Sequence, residues 1–396
     1  MYIVDDLKSA FYKIIGPLLT SRGIDFVSFS KIGAQNSVKP SGTFISVATN
    51  KFDCMADQNF KNFLKQHKFK RAVLLKPNCE VFKISSYFNS AVTIVETPFE
   101  LENGSLLNTF YLHFYLECVL QNQPNLPCAS EQSAKLVNLV RKISVTDATV
   151  LINGPTGSGK EVLSSLIHAF SNRSDKPFIA LNCAAIPDQM LESILFGHEK
   201  GAFTGAVQAN QGLVRAADTG TILLDEISEM PLNLQSKLLR VIQEKQVLPI
   251  GSSSEVEVDV RIIATTNRNM FNEVKLGNFR EDLFYRLNVF PINNLSLAAR
   301  GEDIIPIVAH LLFKSQIETA ELLSISEEAL LSLMQHSWPG NVRELDNIIQ
   351  RARILSSGDT IQLSDLIFDN NANDEHLNTA EILAAKFKTA ANDEVV

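Results

Sequence analysis

Short apolar runs alternate with helix-spaced apolar residues through the first 120 residues of the chain. The runs have the length of buried strands, and they lie at residues 2–4, 26–29, 44–48, 72–75 and 92–95. Helical patterns fill the segments between them, as with Phe11, Ile15 and Leu19 after the first run. Five strands that alternate with helices predict a parallel, doubly wound α/β sheet of the flavodoxin type.

The last helical pattern of this region, about residues 106–120, is rich in aromatic side chains. We expect Phe110, Tyr111, Phe114 and Tyr115 to supply core packing and an interaction face, because such a stripe is more often packing than a ligand site. A polar break that contains prolines follows it. It predicts a first domain at 1–120 and a linker at 121–127.

A glycine-rich loop joins the next strand pattern, residues 148–152, to a helical pattern that begins near residue 162. The loop consists of Gly154, Pro155, Thr156, Gly157, Ser158, Gly159, Lys160 and Glu161. Glycines let consecutive backbone N–H groups surround a phosphate, the helix N-terminus is positive, and Lys160 adds a charge for the β- and γ-phosphates. An ordinary glycine turn is the alternative. Glu161 stands where the generic motif has a Ser or Thr for Mg²⁺.

A second half of a nucleotide site follows downstream. An apolar strand pattern at 220–224 ends in Asp225 and Glu226, and another at 258–266 ends in Asn267. We expect Asp225 to hold Mg²⁺, Glu226 to polarise the attacking water, and Asn267 to sense the γ-phosphate. Taken alone, the carboxylates could be a solvated strand end, but the glycine loop upstream favours the nucleotide site.

Residues 128–300 therefore form the predicted nucleotide-binding core, and three helical patterns at 301–368 form a helical domain after it. Arg343 lies on the first turn of the last of these helices, where it can reach the nucleotide as a second sensor. The residues from 369 to 396 have an excess of acidic side chains and predict a disordered tail.

Composition limits the remaining classes. The net charge of −8 and the pI near 5.5 argue against a generally basic nucleic-acid binder. No apolar stretch approaches the roughly 20 residues that span a bilayer, and the first residues lack the basic start of a signal peptide. The five scattered cysteines indicate reduced thiols without a zinc site, so we expect a cytoplasmic protein.

Residues 196–206 read Phe-Gly-His-Glu-Lys-Gly-Ala-Phe-Thr-Gly-Ala. Together with the glycine loop and the paired carboxylates, this stretch resembles the bacterial enhancer-binding proteins, AAA+ ATPases that activate sigma-54 RNA polymerase. The resemblance covers about residues 128–355. It implies an AAA+ P-loop α/β core, a helical lid, and ATP and Mg²⁺ as cofactors. Glu161 fits, because a Glu follows the P-loop lysine in that family.

The resemblance also implies which residues touch the polymerase. The contact loop would comprise Gly201, Ala202, Phe203, Thr204, Gly205 and Ala206. Phe203 and Thr204 would make the contact with sigma-54. Asn182 matches the residue that holds the catalytic Glu226 away from water until the ring is engaged. A generic AAA+ unfoldase or helicase loader is the alternative, and this loop argues against it.

Arg280 and Arg286 are six residues apart among aromatic side chains and alone would be read as surface ion pairs. By resemblance they match arginines that act on the nucleotide of a neighbouring subunit. An arginine that acts across an interface needs a closed ring, so the resemblance implies a hexamer.

The chain departs from the family pattern at several positions. Pro155 and Thr156 replace the usual Glu-Ser, Cys128 replaces a Gly, and residues 296–300 read Ser-Leu-Ala-Ala-Arg in place of Pro-Leu-Arg-Glu-Arg. None of these removes a catalytic group. They leave the adenine pocket and the coupling between domains open.

The N-terminal domain weakly resembles a response-regulator receiver through Asp5, Asp6 and the Pro98-Phe99 step. The phosphoacceptor position falls on Thr49 and Asn50, and the receiver lysine is Thr97. We therefore expect a degenerate receiver that takes no phosphate, similar to the flagellar regulators of the family. A shifted alignment to Asp53 and an unrelated flavodoxin-like module are the alternatives. Cyclic di-GMP binding is not expected, because residues 125–128 contain no arginine.

The sequence shows no pattern for the C-terminal helix-turn-helix of the family, so direct sequence-specific DNA binding is not expected. Membrane binding is not expected either, because no apolar stretch is long enough to span a bilayer. Two functions stay open. One is an active sigma-54 activator that hydrolyses ATP and acts from solution or as a guest in a partner's ring. The other is a regulatory subunit, an interaction protein without enzymatic activity, that joins a DNA-binding paralogue in a mixed hexamer and modulates it.

Overall fold

The N-terminal sheet places five parallel strands in the order β2-β1-β3-β4-β6, with β5 antiparallel at the edge. The strands are β1 (Tyr2–Val4), β2 (Phe26–Ser28), β3 (Thr43–Val47), β4 (Arg71–Lys76), β5 (Lys83–Tyr87) and β6 (Val92–Glu96). The helices are α1 (Ser9–Ser21), α2 (Phe29–Ala34), α3 (Gln58–Gln66) and α4 (Leu106–Leu120). The five expected strands and the flavodoxin-like order are confirmed.

The computed structural model describes residues 1–5, 9–34, 42–47, 58–98, 105–121, 123–319 and 322–368. Of the receiver positions, Asp6, Thr49, Asn50, Asp53 and Phe99 lie outside these residues, as does the tail at 369–396.

Three receiver positions, Asp5, Thr97 and the exposed Pro98, are described. Asp5 is buried and accepts a hydrogen bond of 2.6 Å from Ser46 Oγ. Thr97, at the lysine position, is fully buried.

Strand β5 corrects the prediction of a helix between β4 and β6. Phe88, Asn89 and Ser90 all have positive φ, between 55° and 64°, and they reverse the chain at once. This tight turn pairs Tyr87 with Val92 and leaves no length for a helix. Phe29, expected to end the second strand, begins α2 instead.

A second sheet, entirely parallel, has the order β13-β7-β12-β9-β8. The strands in this region are β7 (Val150–Asn153), β8 (Phe178–Asn182), β9 (Thr221–Asp225), β10 (Gln246–Val247), β11 (Val256–Glu257), β12 (Arg261–Thr266) and β13 (Phe290–Asn293), of which β10 and β11 form a separate antiparallel pair. The helices are α5 (Glu131–Ser144), α6 (Lys160–Ala169), α7 (Asp188–Phe196), α8 (Gly212–Ala216), α9 (Leu232–Glu244), α10 (Met270–Lys275) and α11 (Glu281–Leu287). The sequence analysis missed β13, because Pro291 lies inside it. An edge strand tolerates proline.

The helical domain consists of α12 (Ile304–Thr319), α13 (Glu327–Gln335) and α14 (Asn341–Leu355). A short parallel pair, β14 (Ser324–Ile325) and β15 (Thr360–Ile361), joins the segment before α13 to the segment after α14. All three helices were predicted. Ser326 caps α13 by accepting a hydrogen bond from the N–H of Ala329, as expected for a serine at a helix start. No helix in the described ranges is long and apolar enough to cross a membrane.

Helix α4 packs on both the N-terminal sheet and the helical domain, and their side chains form one continuous core. Tyr115 donates a hydrogen bond of 2.8 Å to the carbonyl of Val73 on β4. On the other side, Phe114 meets Phe313 of α12 edge-on, with ring centroids 5.6 Å apart. The aromatic stripe is therefore both core and interaction face, as predicted.

Leu330 and Leu331 of α13 offer a matched test of this core. Leu330 is fully buried, whereas Leu331 is 45% exposed. We expect Leu330→Ala to lower the free energy of unfolding by about 2–5 kcal/mol, because it leaves a cavity. Leu331→Ala should cost less than about 0.5 kcal/mol. Urea unfolding followed by circular dichroism measures both, and equal costs would contradict this packing.

Candidate functional site

The glycine loop lies between β7 and α6, and the structure gives a separate geometric reason why each of its three glycines has no side chain. A Cβ on Gly154 would lie 2.6 Å from the carbonyl of Asn294, and one on Gly157 would lie 2.4 Å from the carbonyl of Gly340. Gly159 has a φ of +96°, in the left-handed region that other residues rarely adopt. The loop is thus closely packed on its outer side, and larger residues at these positions would move it.

The carbonyls of the loop are held from outside. Asn341 Nδ2 donates to the carbonyl of Thr156 at 3.0 Å, and the N–H of Val342 donates to that of Gly157 at 3.0 Å. The carbonyl of Ser158 accepts from Asn294 at 2.9 Å and from Arg300 at 2.6 Å.

These contacts decide where the N–H groups of the loop point. Because C=O and N–H of a trans peptide point in opposite directions, the N–H groups of Gly157 and Gly159 face the other side of the loop. A phosphate cradle requires this arrangement.

Lys160 is 6% exposed and lies inside the loop. Its Nζ donates to the carbonyl of Gly154 at 3.0 Å and lies 3.6 Å from Glu226 Oε1. The other carboxylate oxygen of Glu226 is buried and has no hydrogen-bond partner among the described residues. An orphaned carboxylate oxygen beside a buried lysine fits a site for nucleotide, metal ion and water.

Asp225 is fixed by two neighbours. Thr265 Oγ1 donates to Asp225 Oδ1, and Asn182 Nδ2 donates to Oδ2 at 3.0 Å. Glu226, the next residue, has a φ of +51°, which is rare for a non-glycine residue, and its N–H donates to Thr265 Oγ1 at 3.2 Å. Asp225 is therefore held rigidly and Glu226 is turned towards Lys160.

Asn182, matched by resemblance to the residue that holds Glu226 away from water, bonds to Asp225 in this structure. In the parallel register of β8 and β9, Asn182 lies opposite Asp225, so its amide reaches that carboxylate. Glu226 lies beyond the end of the strand, where its left-handed backbone turns its side chain elsewhere.

The two sensor candidates lie at the glycine loop. Asn267 Nδ2 donates to Thr156 Oγ1 at 3.0 Å. Arg343 is exposed, and its Cβ would lie 3.1 Å from a Cβ built on Gly157. Glu161 is exposed on the first turn of α6.

Arg280 and Arg286 lie apart from these groups and are exposed. Arg280 forms an ion pair with Asp282 at 2.7 Å and donates to Ser236 Oγ at 3.1 Å. Within the described ranges, Arg286 has no hydrogen-bond or ion-pair partner. Neither arginine bonds to the glycine loop of its own subunit in these ranges.

The loop at residues 201–206 closes on itself between two glycines with positive φ, Gly201 and Gly205. Its ends are joined by a hydrogen bond of 2.8 Å from the N–H of Gly201 to the carbonyl of Ala206. Phe203 is 44% exposed, and its ring packs edge-on against His198 at 4.9 Å. Ala202 and Thr204 also lie in this loop, and the exposed Thr204 is at its tip.

Comparisons with known proteins agree with this geometry. Residues 126–293 match the family described as sigma-54 interaction domain, and residues 298–382 match the AAA+ ATPase lid domain. Residues 126–293 are therefore assigned to the sigma-54 interaction domain family, and an AAA+ lid domain follows them. The strands, the glycine loop and the lid are thus those of an AAA+ ATPase domain.

Relatives of the chain include response regulator protein FleR of Pseudomonas aeruginosa, 54% identical over 242 residues, which are 61% of this chain and 51% of that protein. Regulatory protein AtoC of Escherichia coli K12 is 48% identical over 249 residues, 63% of this chain and 52% of that protein. The chain therefore spans about half the length of these relatives.

A likeness to solved structures extends over nearly the whole chain. The crystal structure of NtrX from Brucella abortus in complex with ADP has a TM-score of 0.59 and 26% identity, and covers 98% of this chain and 90% of that chain. A second structure of NtrX, in complex with ATP, has a TM-score of 0.58.

The sequence analysis missed four residues that support the glycine loop and Asp225. Asn294, Arg300 and Asn341 hold the glycine loop, and Thr265 holds Asp225. Asn294 is 136 residues from its partner Ser158, and Asn341 is 185 residues from Thr156. The available signal was their position: Asn294 follows directly after β13 and Asn341 begins α14, and polar side chains at the ends of elements often reach a neighbouring loop.

Asn341 allows a direct test of the lid contact. Its φ of +54° suits glycine, so Asn341→Gly removes the amide without straining the backbone. The amide also accepts from the N–H of Leu297 at 2.8 Å. Losing bonds of about 1 kcal/mol each should raise the dissociation constant of a fluorescent ADP roughly tenfold.

The control is Asn347→Gly, an exposed position on the same helix. It places a glycine inside α14, at a small cost to the helix, and Asn347 forms no hydrogen bond with the glycine loop in the described structure. Equal dissociation constants for the two variants would show that the lid contact does not shape the phosphate site.

Proposed function

We propose that this chain hydrolyses ATP and uses the energy to remodel a closed promoter complex of sigma-54 RNA polymerase through the loop at residues 201–206. The observation that carries this proposal is that one domain contains both a nucleotide site and, apart from it, an exposed loop. Lys160, Asp225 and Glu226 meet beside the glycine loop, while Phe203 and Thr204 are exposed on a loop between glycine hinges.

Each group at the nucleotide site has a chemical role in this proposal. The N–H groups of the loop and Lys160 hold the β- and γ-phosphates. Asp225, fixed by Thr265 and Asn182, would hold Mg²⁺, which neutralises charge on the phosphates. Glu226 takes a proton from the attacking water, and its buried oxygen without a partner is available for that bond.

Arg280 and Arg286 fit a role in a neighbouring subunit. Both are exposed on the same short helical segment, and both lie away from their own phosphate loop. We infer a closed ring, most simply a hexamer, in which they stabilise charge on the neighbour's γ-phosphate. To do so, Arg280 must break its ion pair with Asp282. When the subunits engage, an ion pair with the neighbour's phosphate then replaces the one with Asp282.

A short path connects the nucleotide to the contact loop. Asn182 ends β8 and touches Asp225, and the chain then passes through α7 directly into residues 201–206. A change at the metal site can therefore shift α7 and raise or lower Phe203. His198, against which Phe203 packs, marks the lowered position.

Lys160→Ala tests the nucleotide half of the proposal. Removing a buried cation from the phosphate site should abolish measurable ATP turnover and nucleotide binding. Lys135→Ala, at a side chain that is 73% exposed, should leave both unchanged. Turnover is measured by phosphate release across protein concentration, and a steep rise with concentration is expected for a ring. Retained affinity in Lys160→Ala would refute the assignment of the site.

Thr204→Ala tests the polymerase half. It should keep ATP turnover but abolish binding to purified sigma-54 in the presence of an ADP–metal fluoride trap. Ser174→Ala removes an exposed hydroxyl elsewhere in the core and should bind normally. Unchanged binding by Thr204→Ala would count against the role of the loop.

One result would favour the regulatory subunit over the self-sufficient activator. The wild-type chain would bind nucleotide yet show no turnover alone, and turnover would appear on mixing with a DNA-binding paralogue. The proposal of a homomeric activator would then be replaced by that of a mixed ring.

A further inference from the structure

A buried cluster of charged and polar side chains lies where the N-terminal domain meets the lid. Arg22, just after α1, has a side chain with no exposed area and donates to Glu117 of α4. It also donates to His113 at 3.1 Å and to Asn125 at 3.1 Å. From the lid, His310 of α12 lies 2.7 Å from the other oxygen of Glu117.

The central ion pair of the cluster, Arg22 and Glu117, is almost completely buried. Burial raises the pKa of Glu117, but Arg22 and His310 outweigh it and lower that pKa to about 2. Burial and Arg22 lower the pKa of His113 to about 3, so His113 is neutral and accepts from Arg22. A buried ion pair keeps its geometry strictly, because losing one partner leaves an unpaired charge.

The segment that follows the cluster runs from Asn125 to α5 and is fixed at both ends. Behind Asn125, the thiol of Cys128 donates to the carbonyl of Ser21, 3.6 Å away. The N–H groups of Ala129 and Ser130 then donate to one oxygen of Asp303, at 2.8 and 2.7 Å. These hydrogen bonds connect the C-terminal end of α1 to Asp303.

Asp303 connects to the phosphate loop. It is completely buried, and the guanidinium of Arg300 lies 3.8 Å from its carboxylate. Arg300 in turn donates to the carbonyl of Ser158 at 2.6 Å. Helix α12 begins directly after Asp303 and carries His310 back to the cluster, so the contacts form a closed circuit.

We propose that Arg22 is a positioning residue for the nucleotide site, and that docking of the N-terminal domain through Arg22, Glu117 and His310 sets the affinity of the glycine loop for nucleotide. This inference rests on the proposed nucleotide binding. By linkage, nucleotide also strengthens the docking. A partner that binds the N-terminal domain and separates α1 from α4 would lower nucleotide affinity.

The test measures equilibrium binding of a fluorescent ADP to the full chain. Arg22→Met and His310→Ala remove the connection from the N-terminal domain and from the lid, respectively. We expect each to raise the dissociation constant at least about 5-fold, the lower range of coupling between sites. The double variant should be no weaker than the worse single variant, because both act through one network.

The control is Asp25→Asn, which breaks an exposed ion pair of 3.2 Å between the N-terminal domain and Arg141 of α5. Exposed pairs contribute little, so its dissociation constant should stay within about twofold of wild type. Unchanged binding in both Arg22→Met and His310→Ala would overturn the inference.

Hydrogen exchange supplies a readout that a purely structural role would not change. ADP should slow exchange of the amides in α4 and α12 of the wild-type chain, and should not do so in Lys160→Ala. If Arg22→Met fails to fold, His310→Ala decides, because its side chain is 36% exposed and its loss is tolerated more easily. If the wild-type chain binds no ADP, the proposed function itself fails. If the wild-type chain binds ADP, and Arg22→Met and His310→Ala bind it with the same dissociation constant as wild type, only this inference fails.

Discussion

A phosphate loop must turn its N–H groups inward, and this constraint organises the rest of the molecule. The carbonyls of the same peptides then point outward and need donors, since unpaired buried carbonyls are costly. Here the donors come from three places: Asn294 after β13, Arg300 before the lid, and the start of α14. The lid is therefore bonded to the loop that it covers, and its orientation depends on the shape of the loop.

The two adjacent carboxylates have different environments, which fits the separate roles proposed for them. Asp225 accepts hydrogen bonds on both oxygens and is held by strands on either side. Glu226 sits on a left-handed backbone with one oxygen near Lys160 and one without a partner in the described part of the chain. A fixed carboxylate suits a metal ligand, whereas a strained and partly unsatisfied one suits a base. The β8–β9 register, which gives Asn182 to Asp225, produces this difference.

The sequence predicted those parts of the structure that depend on local pattern. Strand runs, the glycine loop, the carboxylates and the three lid helices all follow from spacing within about 20 residues. Strand β5 was missed because its turn uses three non-glycine residues with positive φ, which no composition rule indicates. Strand β13 was missed because Pro291 argues against a strand unless its edge position is known.

The supports of the site were also beyond sequence reasoning. Arg300 was noted only as part of a stretch that departs from the family pattern, and its role depends on reaching Ser158 across 142 residues. The partner of Asn182 could not be chosen between Asp225 and Glu226 without the strand register.

Helix α4 explains why the N-terminal domain and the lid act as one packed unit. Most of its length is buried, including polar residues such as Asn108, His113 and Glu117. A helix that is buried all round needs two partners, and the sheet covers only one side. Helix α12 covers the other, with Phe313 against Phe114.

The apolar contact between α4 and α12 also shields Glu117 from water. Loss of Arg22 or His310 would therefore leave a buried charge without its partner, which is costly. A rearrangement of the N-terminal sheet that moved α4 would have to open this contact or carry α12 with it. Because α12 begins directly after Asp303, carrying it would displace Arg300 and with it the phosphate loop. Through α4, a movement of the N-terminal domain can therefore change the shape of the phosphate loop, although no residue of the N-terminal domain enters the nucleotide site.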